Sequence, residues 1–192
     1  SRLGISTAYI TRVPSNPYGR AAGNILREQG VNTDFLVWAP KTEPIGRFIY
    51  EIGRTPRRDT GVYQRMYSAA SRLDAGMVDW SRALQHARLF HTSGITFGLA
   101  RHSRYERNYN YEAFKEAVAS KPENCRVGLD FNYRATLWSP DEARAVMTPV
   151  VSEHVDVLIT TIEDIALLYG VGCGQYTAKQ IVDGDIGHLE DA

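Results

Sequence analysis

Residues 126–142 read Arg126-Val127-Gly128-Leu129-Asp130-Phe131, then Asn132-Tyr133-Arg134-Ala135-Thr136-Leu137-Trp138, then Ser139-Pro140-Asp141-Glu142. The first group is a short apolar run, which predicts a strand over 126–131. The last group is a helix start. Ser139 is the N-cap, Pro140 takes the first helical position, and two acids fill the first turn. That helix leads to Val155-Asp156-Val157-Leu158-Ile159, a second short apolar run. Strand, helix and strand at this spacing predict a βαβ unit with parallel strands and a crossover helix.

The same alternation continues outward. Upstream lie a strand at Arg88–Thr92 and a helix at Tyr111–Ala119, with Ala113, Phe114, Ala117 and Val118 on its inner face. Downstream lies a helix at Ile162–Tyr169, stopped by Gly170, and a further one at Thr177–Val182. Nearer the start, Ile5–Val13 is β-rich and Pro14-Ser15-Asn16-Pro17 is a turn. Gly19–Gln29 is helical with Ala22, Ile25 and Leu26 on one face, Gly30 is its C-cap, and Phe35–Trp38 is a strand. Asp74–Ala83 is a short helical region with Asp74 as N-cap. One pair breaks the pattern. Ile45–Glu51 and Gly61–Tyr67 flank the turn-rich link Gly53–Thr60, which predicts a β-hairpin apart from the main sheet. The fold class is α/β: a mostly parallel sheet flanked by helices, with a small β lid at residues 45–72.

Both ends are expected to be cut. Ser1-Arg2-Leu3-Gly4 reads as a helix ending before a strand, and Gly187–Ala192 is a polar stretch with no closing element.

Composition excludes several classes. The 192 residues are 43% apolar and 23% charged, as in ordinary soluble globules and unlike disordered or collagenous chains. Lys and Arg number 22 and Asp and Glu 22, so no bulk field favours nucleic acid or an anionic membrane as partner. No apolar run approaches the roughly 20 residues of a membrane span. Cys125 and Cys173 stand alone, which suits reduced thiols in the cytoplasm. Gly170-Val171-Gly172-Cys173-Gly174 does not match the dinucleotide fingerprint and reads as a loop, and no P-loop or H-E-x-x-H occurs. His91 reads as a structural histidine on a core strand, and Tyr105, Tyr109 and Tyr111 as helix packing.

Parallel sheets bind ligands beyond the carboxyl ends of their strands. Those ends deliver Ser93-Gly94-Ile95-Thr96, Asp130-Phe131-Asn132-Tyr133-Arg134 and Thr160-Thr161-Ile162-Glu163-Asp164 to one rim. In an extended backbone Asp130, Asn132 and Arg134 point the same way. An acid, an amide and a guanidinium together suit a polyhydroxy anion, and equally an internal Asp–Arg pair that fixes the loop. Tyr63 and Arg65 share a face of the hairpin, as a binding pair or as a solvated surface. Thr161, Glu163 and Asp164 open a helix, where carboxylates complement the dipole or, alternatively, serve Mg²⁺ or phosphate.

Four segments together carry a resemblance. They are Tyr9–Pro14 with Pro17–Arg20, the Tyr63-Gln64-Arg65 hairpin with Ser68-Ala69-Ala70-Ser71, Leu89–Thr96, and Asp130–Arg134 with Leu137-Trp138-Ser139. In this order they resemble the ribokinase/PfkB carbohydrate kinases, and among them the 2-keto-3-deoxygluconate kinases. The resemblance implies a ribokinase-like fold and phosphoryl transfer from ATP, with Mg²⁺, to a sugar-acid hydroxyl. It implies substrate contacts at Phe48, Tyr63, Arg65, Ile95 and Arg134, with Arg65 and Arg134 taking the carboxylate. Phe48 stands where relatives often carry a tyrosine. Nucleotide contacts are implied at Asn132, Tyr133, Arg134 and Thr161, and a metal-linked role at Asp164, where the family's N-x-x-E reads T-x-x-D. A homodimer or larger assembly through the lid is also implied. No catalytic residue is assigned: the family's G-A-G-D base and anion hole do not occur in the 192 residues, so this stretch alone is expected to be inert. The alternatives are a family kinase for fructose, ribose or 5-keto-2-deoxygluconate, or a sugar-acid-binding protein without catalysis. A nicotinamide-dependent Rossmann enzyme is the remaining one.

Overall fold

The computed structural model describes residues 4–100 and 107–184. The expectations for Ser1–Leu3, Tyr105 and Gly187–Ala192 lie outside the described residues. In chain order the elements are β1 (Thr11–Pro14), α1 (Pro17–Glu28), β2 (Leu36–Ala39), β3 (Arg47–Glu51), β4 (Thr60–Gln64), a 3₁₀ turn (Ala69–Arg72), α2 (Trp80–Leu84), β5 (Leu89–Ser93) and α3 (Gly94–Ala100). There follow α4 (Tyr109–Ser120), β6 (Arg126–Asp130), α5 (Pro140–His154), β7 (Val157–Ile159), α6 (Ile162–Tyr169) and α7 (Ala178–Asp183). They group into two units: residues 1–85 with 99–121, and residues 86–98 with 122–192.

The first unit opens with a βαβ. β1 and β2 are parallel, from Thr11↔Leu36 to Pro14↔Ala39, and α1 joins them. The helix starts at Pro17, earlier than expected, because Asn16 caps it. The Asn16 carboxamide oxygen accepts from the N–H of Tyr18 (3.0 Å) and Gly19 (3.2 Å), and proline suits the first helical position. The β-rich start contributes only four paired residues, since β2 is equally short. Ahead of it Ala8 makes a lone bridge to Asn32. β3 and β4 form the expected antiparallel hairpin, in register from Arg47↔Gln64 to Glu51↔Thr60. Every residue of both strands is exposed.

Asp74 does not cap a helix. It accepts from the Ala75 N–H (2.8 Å) and pairs with Arg107 (2.6 Å). The cap is Asp79, whose oxygen takes the Arg82 N–H (3.1 Å) and the Ser81 hydroxyl (2.8 Å). The helix begins there because Trp80 and Leu84, four apart, are the two residues it buries. α4 buries Ala113, Phe114 and Ala117 as the spacing predicts.

The second unit holds a parallel sheet ordered β5-β6-β7. Its central strand is buried at Val127, Gly128 and Leu129. α5 crosses from β6 to β7 and buries Ala143, Met147 and Val150. Its start is the predicted one, strengthened into a capping box: Ser139 Oγ accepts from the Glu142 N–H (3.4 Å) and Glu142 accepts from the Ser139 N–H (2.8 Å). α6 runs from Thr161 as N-cap to Gly170, which adopts the left-handed conformation (φ 67°) a helix-stopping glycine favours.

Two readings are corrected here. His91 is exposed, not buried in the core, because β5 is an outer strand of this sheet. Gly94–Ala100, of which only Gly94–Thr96 was read, as part of a rim, is a helix. Two glycines and a β-branched pair conceal it in the sequence. Burial supplies what propensity lacks: Phe97 is fully buried, and a Cβ on Gly98 would stand 3.2 Å from Leu137 and Trp138.

Candidate functional site

Within the second unit, β5, β6 and β7 end level with one another, Ser93 against Asp130 and Asp130 against Ile159. The predicted rim therefore forms. At its first segment the chain turns directly into α3. Gly94 is required there, since a Cβ would stand 2.1 Å from the Phe131 carbonyl oxygen. Ile95 donates its N–H to Ser93 Oγ (3.3 Å).

At the middle segment the extended backbone does not continue to Arg134. Phe131 makes the last sheet hydrogen bond, to the Ile159 carbonyl (2.8 Å). Asn132 then turns into the left-handed region (φ 44°), where asparagine is among the better tolerated residues. Its Nδ2 donates to Asp130 (3.1 Å). Tyr133 is buried, donates its hydroxyl to the Trp138 carbonyl (3.0 Å), and gives its N–H to Asp164 Oδ2 (3.0 Å). Arg134 is exposed, and its Nη1 reaches the Tyr133 carbonyl at 3.4 Å. The same-side alternation of Asp130, Asn132 and Arg134 is thus corrected to a tight turn that presents Arg134 alone.

At the third segment Thr161 caps α6, its hydroxyl accepting from the Asp164 N–H (3.2 Å). Burial pushes the Asp164 carboxyl above the usual range. The Tyr133 N–H and the Arg134 charge oppose that shift, and Glu163 and Asp130 add to it. Burial, with Asp164 nearby, likewise raises the Tyr133 hydroxyl. Mg²⁺ asks for octahedral oxygen ligands. Among the described residues no group of three potential ligand side chains is placed to hold a metal ion, and Asp164 commits one oxygen to the backbone. The fit to a resident metal is poor.

The first unit brings Phe48, Tyr63 and Arg65 together. Phe48 and Tyr63 face each other across the hairpin and stack at 4.5 Å. The Arg65 guanidinium lies over the Tyr63 ring at 4.5 Å. Gly61 leaves room for the Phe48 ring, which a Cβ would meet at 2.9 Å. All three side chains border a cavity of about 460 Å³, which Tyr9, Arg12 and Ser68 also line. That size suits a small molecule, and a cation on an aromatic platform suits an anionic one. The last three wall residues were missed as such. One signal for them was an arginine in an otherwise uncharged strand. Arg12 is buried in β1, held in a two-pronged pair by Glu43 (Nη2 to Oε1 2.7 Å), and also reaches the Ala69 carbonyl (3.3 Å).

The second unit thus carries a parallel α/β sheet with a polar rim at its strand ends, and the first a β hairpin with a cation–aromatic stack beside a cavity. The chain belongs to the pfkB family of carbohydrate kinases, whose profile it matches over residues 1–179. It is 33% identical over 167 residues to the 2-dehydro-3-deoxygalactonokinase of Haloferax volcanii, covering 86% of this chain and 49% of that protein. It is 32% identical over 170 residues to the 2-dehydro-3-deoxygluconokinase of Thermoproteus tenax, covering 88% and 49%. Among solved structures, the 2-dehydro-3-deoxygluconokinase of Thermotoga maritima superposes with a TM-score of 0.77 at 34% identity, covering 95% of this chain and 54% of that one. The fold is ribokinase-like, and the chain spans about half the length of these relatives.

Proposed function

We propose that the whole protein transfers the γ-phosphoryl group of ATP to 2-keto-3-deoxygluconate. One observation carries the substrate class: the Phe48–Tyr63–Arg65 stack beside a cavity of small-molecule size. A guanidinium binds a carboxylate with two parallel hydrogen bonds, which a neutral sugar cannot return. In this reading the substrate contacts are Phe48, Tyr63, Arg65, Ile95 and Arg134. Arg134 and Thr161 face the nucleotide, the backbone of Asn132 and Tyr133 shapes the turn that carries Arg134, and Mg²⁺ arrives with the ATP phosphates. Residues 1–192 form part of one kinase domain with its lid at 45–72, the assembly is a homodimer or larger through that lid, and the setting is cytoplasmic.

A second substrate has specific support: the 33% identity to a 2-dehydro-3-deoxygalactonokinase. That sugar acid differs in the configuration of one hydroxyl and presents the same carboxylate. The test is a coupled ATP assay of the whole protein against both epimers, 5-keto-2-deoxygluconate, fructose and ribose. We expect kcat/KM for the two 2-keto-3-deoxy acids to exceed that for the neutral sugars by at least about tenfold. Equal rates on fructose or ribose would remove the carboxylate from the recognition. Calorimetric binding of the acid without turnover would leave a binding protein.

A further inference from the structure

We propose that Asp164 is a positioning residue: it fixes the turn bearing Arg134 by accepting the Tyr133 amide, and it does not ligate the metal. The proposal rests on the kinase reading only for its activity readouts. Its first support is what the Tyr133 N–H needs. The sheet ladder ends at Phe131, so the next amides have no strand partner, and a buried N–H without an acceptor is costly. Tyr133 is buried, and Asp164 Oδ2 at 3.0 Å is the acceptor it finds.

The second support is the conformation on the other side of that amide. Asn132 sits at φ 44°, a conformation that asparagine tolerates better than most side chains but that still costs more than the ordinary regions, so it persists where neighbouring contacts hold it. Two clamps do so. The Tyr133 hydroxyl is tied to the Trp138 carbonyl and its N–H to Asp164. Asp164 is itself held, since its own N–H is given to Thr161 Oγ1. The chain of contacts runs from the helix cap through one carboxylate to the turn, and Arg134 is the next residue. The short T-x-x-D side chain is consistent with this, its reach being spent on the neighbouring backbone.

Charge and acceptor can be separated. Asp164→Asn keeps a carbonyl oxygen for the Tyr133 N–H and removes the negative charge, whereas Asp164→Ala removes both. In the whole protein, amide exchange at Tyr133 should stay within about threefold of wild type in Asp164→Asn and accelerate by at least about tenfold in Asp164→Ala. Under the kinase reading, Asp164→Asn should keep kcat/KM within about threefold and leave the Mg²⁺ dependence unchanged, while Asp164→Ala raises KM for the sugar acid about tenfold or more. Unchanged Tyr133 exchange in Asp164→Ala overturns the proposal. So does an Asp164→Asn enzyme as slow as the alanine variant, or one with a shifted Mg²⁺ requirement. If Asp164→Ala does not fold, Asp164→Asn decides alone, because exchanging a carboxylate ligand for a neutral amide would weaken Mg²⁺ binding and shift the Mg²⁺ requirement. If the wild-type protein transfers no phosphoryl group, the kinase reading fails and the exchange measurement still judges the role of Asp164.

Discussion

Arg134 leaves the end of β6 on a turn whose other polar groups are engaged inward, to Asp130, Asp164 and Trp138. Its guanidinium is the exposed cation of that turn. If it binds the substrate carboxylate or the transferring phosphoryl, Arg134→Ala in the whole protein should lower kcat/KM at least tenfold, about 1.4 kcal/mol of transition-state binding. Steady-state kinetics checks this, and an unchanged value removes Arg134 from the site. At this scale the sequence was partly readable. Tyr63 and Arg65 share a face because strand period is local, and the stack follows from it. The Asn132 turn was not readable. The amide that follows Asn132, that of Tyr133, is taken by Asp164, 31 residues further on, and no local pattern announces such a contact.

Boundaries set by the clearest local signals came out as expected, while the Asn16 and Asp79 caps and the elements set by packing did not. α5 and α6 start at a hydroxyl cap, and α6 stops at Gly170. α3 exists because Phe97 and Gly98 fit against their surroundings. The hairpin allows two predictions. The Arg12–Glu43 pair at its foot is largely buried, with side-chain exposures of 10% and 13%. Glu43→Ala leaves that guanidinium unpaired and should destabilise the fold by about 3–5 kcal/mol, measured by urea denaturation. A loss under about 1 kcal/mol would show the pair to be solvated like a surface bridge. At the tip, Asp59 accepts from the Tyr50 hydroxyl and from the Gly53 N–H (2.7 Å). These hold its carboxyl below the ordinary value of 3.8. A depressed folded pKa adds stability above the unfolded value and loses it as pH falls through the folded one. Protection of the Gly53 amide, taken relative to the intrinsic exchange rate at each pH, should therefore hold at pH 5 and fall only below about pH 3.8. Loss of protection already between pH 6 and 5 would contradict this.

For the molecule as a whole, the fold class was legible because β-α alternation is a long-range statement written in short-range patterns. The 192 residues leave apolar side chains of outer strands open to solvent: Leu89 on β5, Val157, Leu158 and Ile159 on β7, and Phe48, Ile49 and Val62 on the hairpin. Parallel sheets are normally covered on both faces, and open strand edges invite association. The 192-residue chain prepared alone should self-associate at micromolar concentration, read by light scattering, and show no ATP-dependent turnover of either 2-keto-3-deoxy acid. Turnover by this stretch would place the base and the anion hole among residues given no such role.

The two feet of the flap are moored to one point. Arg12, sunk in the first strand, grips Glu43 where the ribbon departs and the Ala69 carbonyl where it returns, and the Ala69 N–H is bonded to the Pro44 carbonyl beside them (2.8 Å). A swinging door needs a loose hinge at its foot, and this ribbon has a rivet there. Whatever bending admits a ligand must therefore come from curling along its length, so a mutation at mid-ribbon would alter how quickly a ligand enters more than one at the mooring.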